Sequence, residues 1–401
     1  MSLFRFELRK LLLNKKNLIL LLCLLALYSV VGLTSTMFLI GGNDSYRAYE
    51  ELATAWEGPF DSEKAAEAEK IYQEVSARYG TDARMIARSV KDQPEIILAV
   101  NYHAYTERVE EYWNGTPPES AEEPYGIALL QGKIAELERQ GKQGSFACQK
   151  LSASLQRLKE LGEPEFANTL LWENLFNNWG EHLMQFLLFV PLAFVIAPVF
   201  AVERSSGMDN LILSSRNGRR KIVTAKLLSA LVASTVVVML YLAATFIFGF
   251  LPHGSFHGWN AAIQSISTYA QSMFQWNVWQ LAAVGAVWLI FTGAFYSLII
   301  CFISSRMKSQ IGTAGVSLAI LFVNVALAAM GDTVTQRLGM LVDFGLSNVT
   351  LMKEVFGSNK IFPVFGMNVS YPIMVILVLT VVAASAIFGI YLGQKSRTVA
   401  K

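Results

Sequence analysis

Charge is what this chain has least of: 16% of its 401 residues are Asp, Glu, Lys or Arg, against 53% hydrophobic ones, and the mean hydropathy is positive. Soluble globular domains carry about a quarter charged residues, so the composition excludes that class and implies an integral membrane protein. Cysteine is scarce as well. Cys23 and Cys301 fall in apolar runs, which leaves Cys148 alone in polar sequence with no partner for an internal disulfide. No Gly-x-x-x-x-Gly-Lys-Ser/Thr occurs, so the chain does not cradle nucleotide phosphates in the P-loop manner. His-Glu-x-x-His, Gly-x-Ser-x-Gly and an acid pair within an apolar run are missing too, which points away from an enzyme. No Asp, Glu, Lys or Arg stands in the middle of an apolar run, where proton- or sodium-coupled carriers usually place ionisable groups. The energy for any transport must then come from outside the chain.

What is there is a series of six apolar runs, 18–40, 183–202, 227–251, 278–303, 311–330 and 372–393, each long enough at 1.5 Å per residue to approach or cross a core of about 30 Å. The first is longer than the apolar part of a signal peptide and is followed by no small-x-small site, so it reads as a retained anchor. Ahead of it, residues 1–17 alternate Phe4, Leu8 and Leu11 with Arg5, Arg9, Lys10, Lys15 and Lys16, an amphipathic helix suited to the membrane surface. In the second run Pro191 and Pro198 remove backbone donors and predict a kink.

Residues 41–178 are the one large polar region. Ile71, Val75 and Tyr79, then Ile96, Val100 and Ala104, then Leu151, Leu155 and Leu158 recur at helical spacing, with helix stops at Gly80, Asn114-Gly115 and Gly162. This predicts a helical domain that returns to the membrane through Trp172, Phe176 and Trp179, placed at headgroup level. Between Asp332 and Tyr371, Val334, Leu338, Leu341 and Val342 suggest one or two interfacial helices. Charge orients the whole: Gly41 to Glu181 carry 25 acids against 14 bases, while the N-terminal segment, the loop 203–226, the turn 304–310 and the tail carry 16 bases against 3 acids. Bases mark the inner side. The expectation is a multi-pass protein of the cytoplasmic membrane, both termini inside and the acidic domain outside.

The stretch from Pro198 to Ala230 organises the rest. Glu203 and Arg204 end one run; Gly207, the apolar Leu211, Ile212 and Leu213, and Ser214 follow; Arg216, Arg219, Arg220 and Lys221 form a basic cluster; and Lys226 opens the next run. This ordered string resembles the cytoplasmic loop of the ABC type-2 permeases, and residues 1–17 are similar to the elbow helix with which such permeases often begin. The resemblance implies an all-α membrane protein of six transmembrane helices with an elbow helix at 1–17, a first span at 18–40, an extracytoplasmic helical domain at 41–178, and spans two to six with a coupling helix within 179–401. It implies the membrane subunit of an ATP-driven exporter moving a peptide, drug-like or lipid substrate. Its cofactors, ATP and Mg, are held by a separate ATPase subunit docked on Glu203, Arg204, Gly207, Leu211, Ser214, Arg216, Arg219, Arg220, Lys221 and Lys226. Further partners are membrane lipids and a second permease, a copy of this chain or a sister; no nucleic acid is expected. The insert at 41–178 is larger than the family's minimal loop.

Plainer readings stand beside these. The basic cluster also fits a positive-inside loop bound to anionic lipid heads, and Glu203 also fits a helix cap favoured by the dipole. His253 and His257 stand four apart, but Gly254 and Gly258 between and beyond them, and the lack of a third ligand, argue against a metal pair. Gly389 and Gly393 permit close helix approach, in a dimer or within the bundle. A sensor or assembly protein that binds a ligand through the outer domain is the alternative function, although six spans and no cytoplasmic output domain fit it less well.

Overall fold

The computed structural model describes residues 3–40, 42–81, 86, 89–115, 124–180, 182–214, 220–329, 342–358, 360–364 and 367–395, and they are mostly helical. α1 (Leu3–Leu12) and α2 (Lys15–Leu39) are separated by a short break. Asn14 makes that break: its carboxamide oxygen accepts from the Lys16 N–H, while Asn17 donates to the Leu11 carbonyl at 2.6 Å, so the end of one helix and the start of the next are both satisfied.

α3 (Asn43–Trp56), α4 (Ser62–Tyr79), α5 (Pro94–Asn114), α6 (Ile127–Arg139) and α7 (Phe146–Leu161) form the insert. Its stops lie where expected, because Gly80, Gly115 and Gly162 take positive φ at the C-caps of α4, α5 and α7. The buried stripe of α5 is a different one from that expected: Leu98, Tyr102, Tyr105, Val109 and Tyr112 face the core, while Ile96, Val100 and Ala104 are only half-buried. The tyrosines tolerate burial because their hydroxyls find partners. Tyr102 accepts from the Asp61 N–H, Tyr105 donates to the Pro164 carbonyl, and Tyr49 accepts from Asn101.

α8 (Leu170–Gly180) leads into α9 (His182–Ile196), α10 (Pro198–Ser205), α11 (Met208–Ser214) and α12 (Lys221–Gly249). Trp172, Phe176 and Trp179 are buried on α8 within the protein. The reason lies in their partners: the indole of Trp172 donates to the His257 carbonyl at 2.9 Å, and that of Trp179 to the Thr245 hydroxyl at 3.0 Å. After α12, residues 250–277 fold back over the insert in short turns before α13 (Val278–Arg306) and α14 (Gln310–Ala329).

Among the described residues, five helical stretches are long and apolar enough to cross a membrane: Lys15–Thr34, Phe186–Ser205, Lys221–His253, Val278–Arg306 and Tyr371–Lys395. The expected fifth span, 311–330, coincides with α14, whose apolar stretch Gln310–Val323 is shorter. The region before the last helix holds α15 (Leu346–Thr350) and α16 (Met352–Gly357), followed by an antiparallel hairpin of β1 (Ile361–Val364) and β2 (Met367–Ser370) that pairs Ile361 with Ser370. The hairpin is a short strand element in a fold that is otherwise helical, as expected. Val342 is buried, while Val334, Leu338 and Leu341 lie outside the described residues.

α12 is the centre of the bundle and packs against α2, α1, α13 and α9. It meets α2 where Gly32 faces Gly249, and a Cβ on Gly32 would come within 3.0 Å of the Gly249 nitrogen. The last helix, α17 (Tyr371–Lys395), lies on α13. Its two glycines serve that contact: a Cβ on Gly389 would meet the Phe302 ring at 2.8 Å, and one on Gly393 the Arg306 guanidinium at 3.1 Å. Of the two uses open to this Gly-x-x-x-Gly pair, the structure displays packing within the chain.

Candidate functional site

The break between α9 and α10 sets up the site. Ala197 still bonds to Ala193, but Pro198 has no N–H, and the first turn of α10 needs other partners for its donors. Ser304 of α13 supplies one: its fully buried hydroxyl accepts from the N–H groups of Phe200 and Ala201, both at 3.1 Å, and donates to the Ala197 carbonyl at 2.7 Å. At the other end of α10, Arg204 donates to the carbonyls of Ser305 at 2.7 Å and Met307 at 3.4 Å, capping the C-terminus of α13. α10 is therefore stapled to α13 at both ends.

Its inner face carries Glu203, only 8% exposed, in an ion cluster with three elements. Lys226 of α12, 1% exposed, reaches Glu203 Oε1 at 2.7 Å, the Val199 carbonyl at 2.6 Å and Glu7 Oε2 of α1 at 3.4 Å. Lys10 of α1 adds a second cation, 2.9 Å from the same Glu203 oxygen and 3.8 Å from Glu7. Two carboxylates and two ammoniums balance, and the Lys226 ammonium also lies 5.3 Å from the centre of the Phe200 ring. Next to the cluster, Ser229 of α12 donates to the Phe4 carbonyl at 3.3 Å and so fixes α1 along α12.

Beyond Glu203 the chain turns outward. Gly207 has φ 71°, a left-handed value, and a Cβ there would meet nothing within 4 Å, so the glycine serves the turn and not a close contact. α11 follows with Met208 53% and Leu211 73% exposed. Arg220 and Lys221 are exposed at the start of α12. Ser214 closes α11, and Arg216 and Arg219 lie outside the described residues.

The residues singled out from the sequence thus fall into two groups. Glu203, Arg204 and Lys226 point into the protein, and Lys226 cannot form part of any outer docking face. Gly207, Leu211, Arg220 and Lys221 stand on the outer side. Glu7, Lys10 and Ser304 were missed. Glu7, the single acid among the bases of residues 1–17, was the available signal for one of them; a serine within an apolar run gives none. Of the histidine pair, His257 hydrogen bonds to Glu57 at 2.9 Å.

Comparison with known families gives one match. Residues 161–308 match the family model described as ABC-2 family transporter protein, a stretch that runs from the end of α7 through α13 and contains Glu203, Lys226 and Ser304. The match covers well under half of the chain and supports the resemblance of the basic loop to the ABC type-2 permeases. Glu7, Lys10 and most of the insert lie outside the matched stretch. No curated protein and no solved structure matches the chain.

Proposed function

We propose that the chain is the membrane subunit of an ATP-driven exporter, seated in the cytoplasmic membrane with both termini inside, and that α11 is its coupling helix. A separate ATPase subunit, holding ATP and Mg, docks on Met208, Leu211 and the basic residues that follow. Movement of that partner passes from α11 through Gly207 to Glu203, and the ion cluster carries it to α12 and α1 together. The pore lies between two such membrane domains, and the cargo is a peptide, drug-like or lipid molecule.

The observation that carries this reading is the reversal within nine residues: Glu203 is locked inside by two ammoniums, while Leu211 stands 73% exposed on a short helix just after it. A positive-inside loop needs neither. Exposed apolar residues on a short helix beside a basic cluster have two uses, a protein groove or the lipid surface. Purification of the wild-type chain from its own membranes should bring an ATPase subunit with it, and Leu211→Asp with Met208→Asp should remove that subunit while leaving the chain inserted. Gly207→Leu, which forces a side chain into a left-handed turn at about 1–2 kcal/mol, should keep the partner bound but lower substrate-stimulated ATP hydrolysis in vesicles. Unchanged ATPase recovery and transport in the double aspartate variant would sink the proposal.

A further inference from the structure

At the other end of the molecule a cavity of about 470 Å³ lies between α5, α8 and residues 265–268. Its volume falls within the range of about 300–1,000 Å³ in which small-molecule sites occur. One wall is the stripe Ile97, Val100, Ala104 and Arg108 of α5, turned away from the tyrosine stripe of the same helix. Part of the apolar period that the sequence suggests as core therefore lines an open space.

Two opposite charges face this space without touching. Arg108 donates through one Nη to the Ser265 carbonyl at 2.9 Å, and its buried Nε has no hydrogen-bond partner among the described residues. Burial lowers the guanidinium below its ordinary range, and Glu173 of α8 is the strongest charge opposing that effect. Glu173 accepts from the Ser267 hydroxyl, and no direct ion pair joins it to Arg108 among the described residues. Glu173 and Asn177 are half-buried and one turn apart, while Asn174, Leu175 and Phe176 between them are buried, so this edge of α8 opens on the cavity. A buried donor left unmet is costly. A cavity with apolar walls, one cation and one anion at separate places and no net charge suits a ligand built the same way.

We propose that this cavity binds a small apolar zwitterion, the chemistry of an aliphatic α-amino acid or a short apolar peptide with free termini. The carboxylate meets Arg108, the ammonium meets Glu173, and aliphatic side chains lie on Val100 and Ala104. The proposal does not rest on the coupling role of α11, and binding to the purified chain decides it without any transport assay.

The probes are trileucine, its C-terminal amide and its N-acetyl form, titrated calorimetrically into the full chain in detergent. Trileucine should bind saturably, and each blocked peptide at least about tenfold more weakly, as expected for loss of one charge-assisted hydrogen bond. Ala104→Phe, which fills the cavity, should abolish trileucine binding with the melting temperature kept. Arg108→Gln should weaken trileucine about tenfold and leave the amide unaffected, a pattern that general destabilisation does not produce. If Arg108→Gln does not fold, the peptide series and Ala104→Phe decide the matter. No saturable binding of trileucine, equal binding of all three peptides, or undiminished binding to Ala104→Phe would each overturn the proposal.

Discussion

Lys226→Met tests the ion cluster most directly. The ammonium is 1% exposed and has three oxygen partners, at 2.6, 2.7 and 3.4 Å. At an effective dielectric of about 20, the 2.7 Å pair with Glu203 is worth roughly 6 kcal/mol of gross attraction, part of which offsets the desolvation of both ions. Methionine keeps the volume but leaves Glu7 and Glu203 to share Lys10, which lies 3.8 and 2.9 Å away and is itself partly in solvent. The cluster passes from neutral to one uncompensated negative charge. Breaking a buried pair in this way costs about 3–5 kcal/mol. Neutrality returns when Glu203→Gln is added, because Glu7 and Lys10 then remain as a pair, so the double variant should be less destabilised than the sum of the singles by about 1–3 kcal/mol. Reversible unfolding in mixed dodecyl sulfate and maltoside micelles, followed by helical circular dichroism, measures each of the four proteins. A loss under about 1 kcal/mol for Lys226→Met, or strict additivity in the cycle, would refute the reasoning.

Three further outcomes follow from other parts of the molecule. Ser304→Ala leaves the Phe200 and Ala201 N–H groups without their buried acceptor and should cost about 1–3 kcal/mol in the same unfolding assay; a loss near zero would mean that those donors are met in another way. Burial pushes the Glu111 carboxyl above its ordinary range, against the lesser effect of a hydrogen bond with Gln271. A raised carboxyl favours the fold below its ordinary titration range and loses that advantage as pH rises through the raised value, so Glu111→Gln should melt higher than the wild type at neutral pH, with the gap closing towards about pH 4; a gap independent of pH contradicts this. For orientation, Cys148 is only 5% exposed and a poor reporter, so in a chain freed of its own cysteines Gln143→Cys should react with an impermeant thiol reagent added to whole cells, and Lys221→Cys should not; labelling of position 221 from outside reverses the assigned sides.

The boundaries of the helices were legible because their causes are local. Gly80, Gly115 and Gly162 stop helices by their own backbone freedom, and long apolar runs state their length directly. The buried face of α5 was misread because the expected stripe counted aliphatic residues, whereas Tyr102, Tyr105 and Tyr112 are buried through hydroxyl partners on other segments. The burial of the α8 aromatic residues was not legible for a related reason: an indole wants an acceptor, and nothing near Trp172 in sequence says that the acceptor is His257. In the candidate site Glu203 and Lys226 were found, but Glu7 and Lys10 were not. Lys10 and Glu203 are 193 residues apart, and Glu7 and Lys226 are 219 apart, so only the fold brings them together.

α12 has a mechanical consequence of its own. It is a continuous helix of 29 residues, about 43 Å long. One end holds Lys226 in the ion cluster. Near the other, Thr245 takes the indole of Trp179 and Tyr241 donates to the Asn178 carbonyl, while the segment just past it is tied to the insert through Asn43 to Pro252 and Glu57 to His257. Such a rod transmits angle as displacement: a tilt of about 5° about one end sweeps the other by roughly 4 Å. The insert grips the neighbourhood of the far end, so a tilt of the rod would have to strain or break those contacts. Stiffening or loosening that grip, far from every charged residue of the cluster, should change how far the rod can swing.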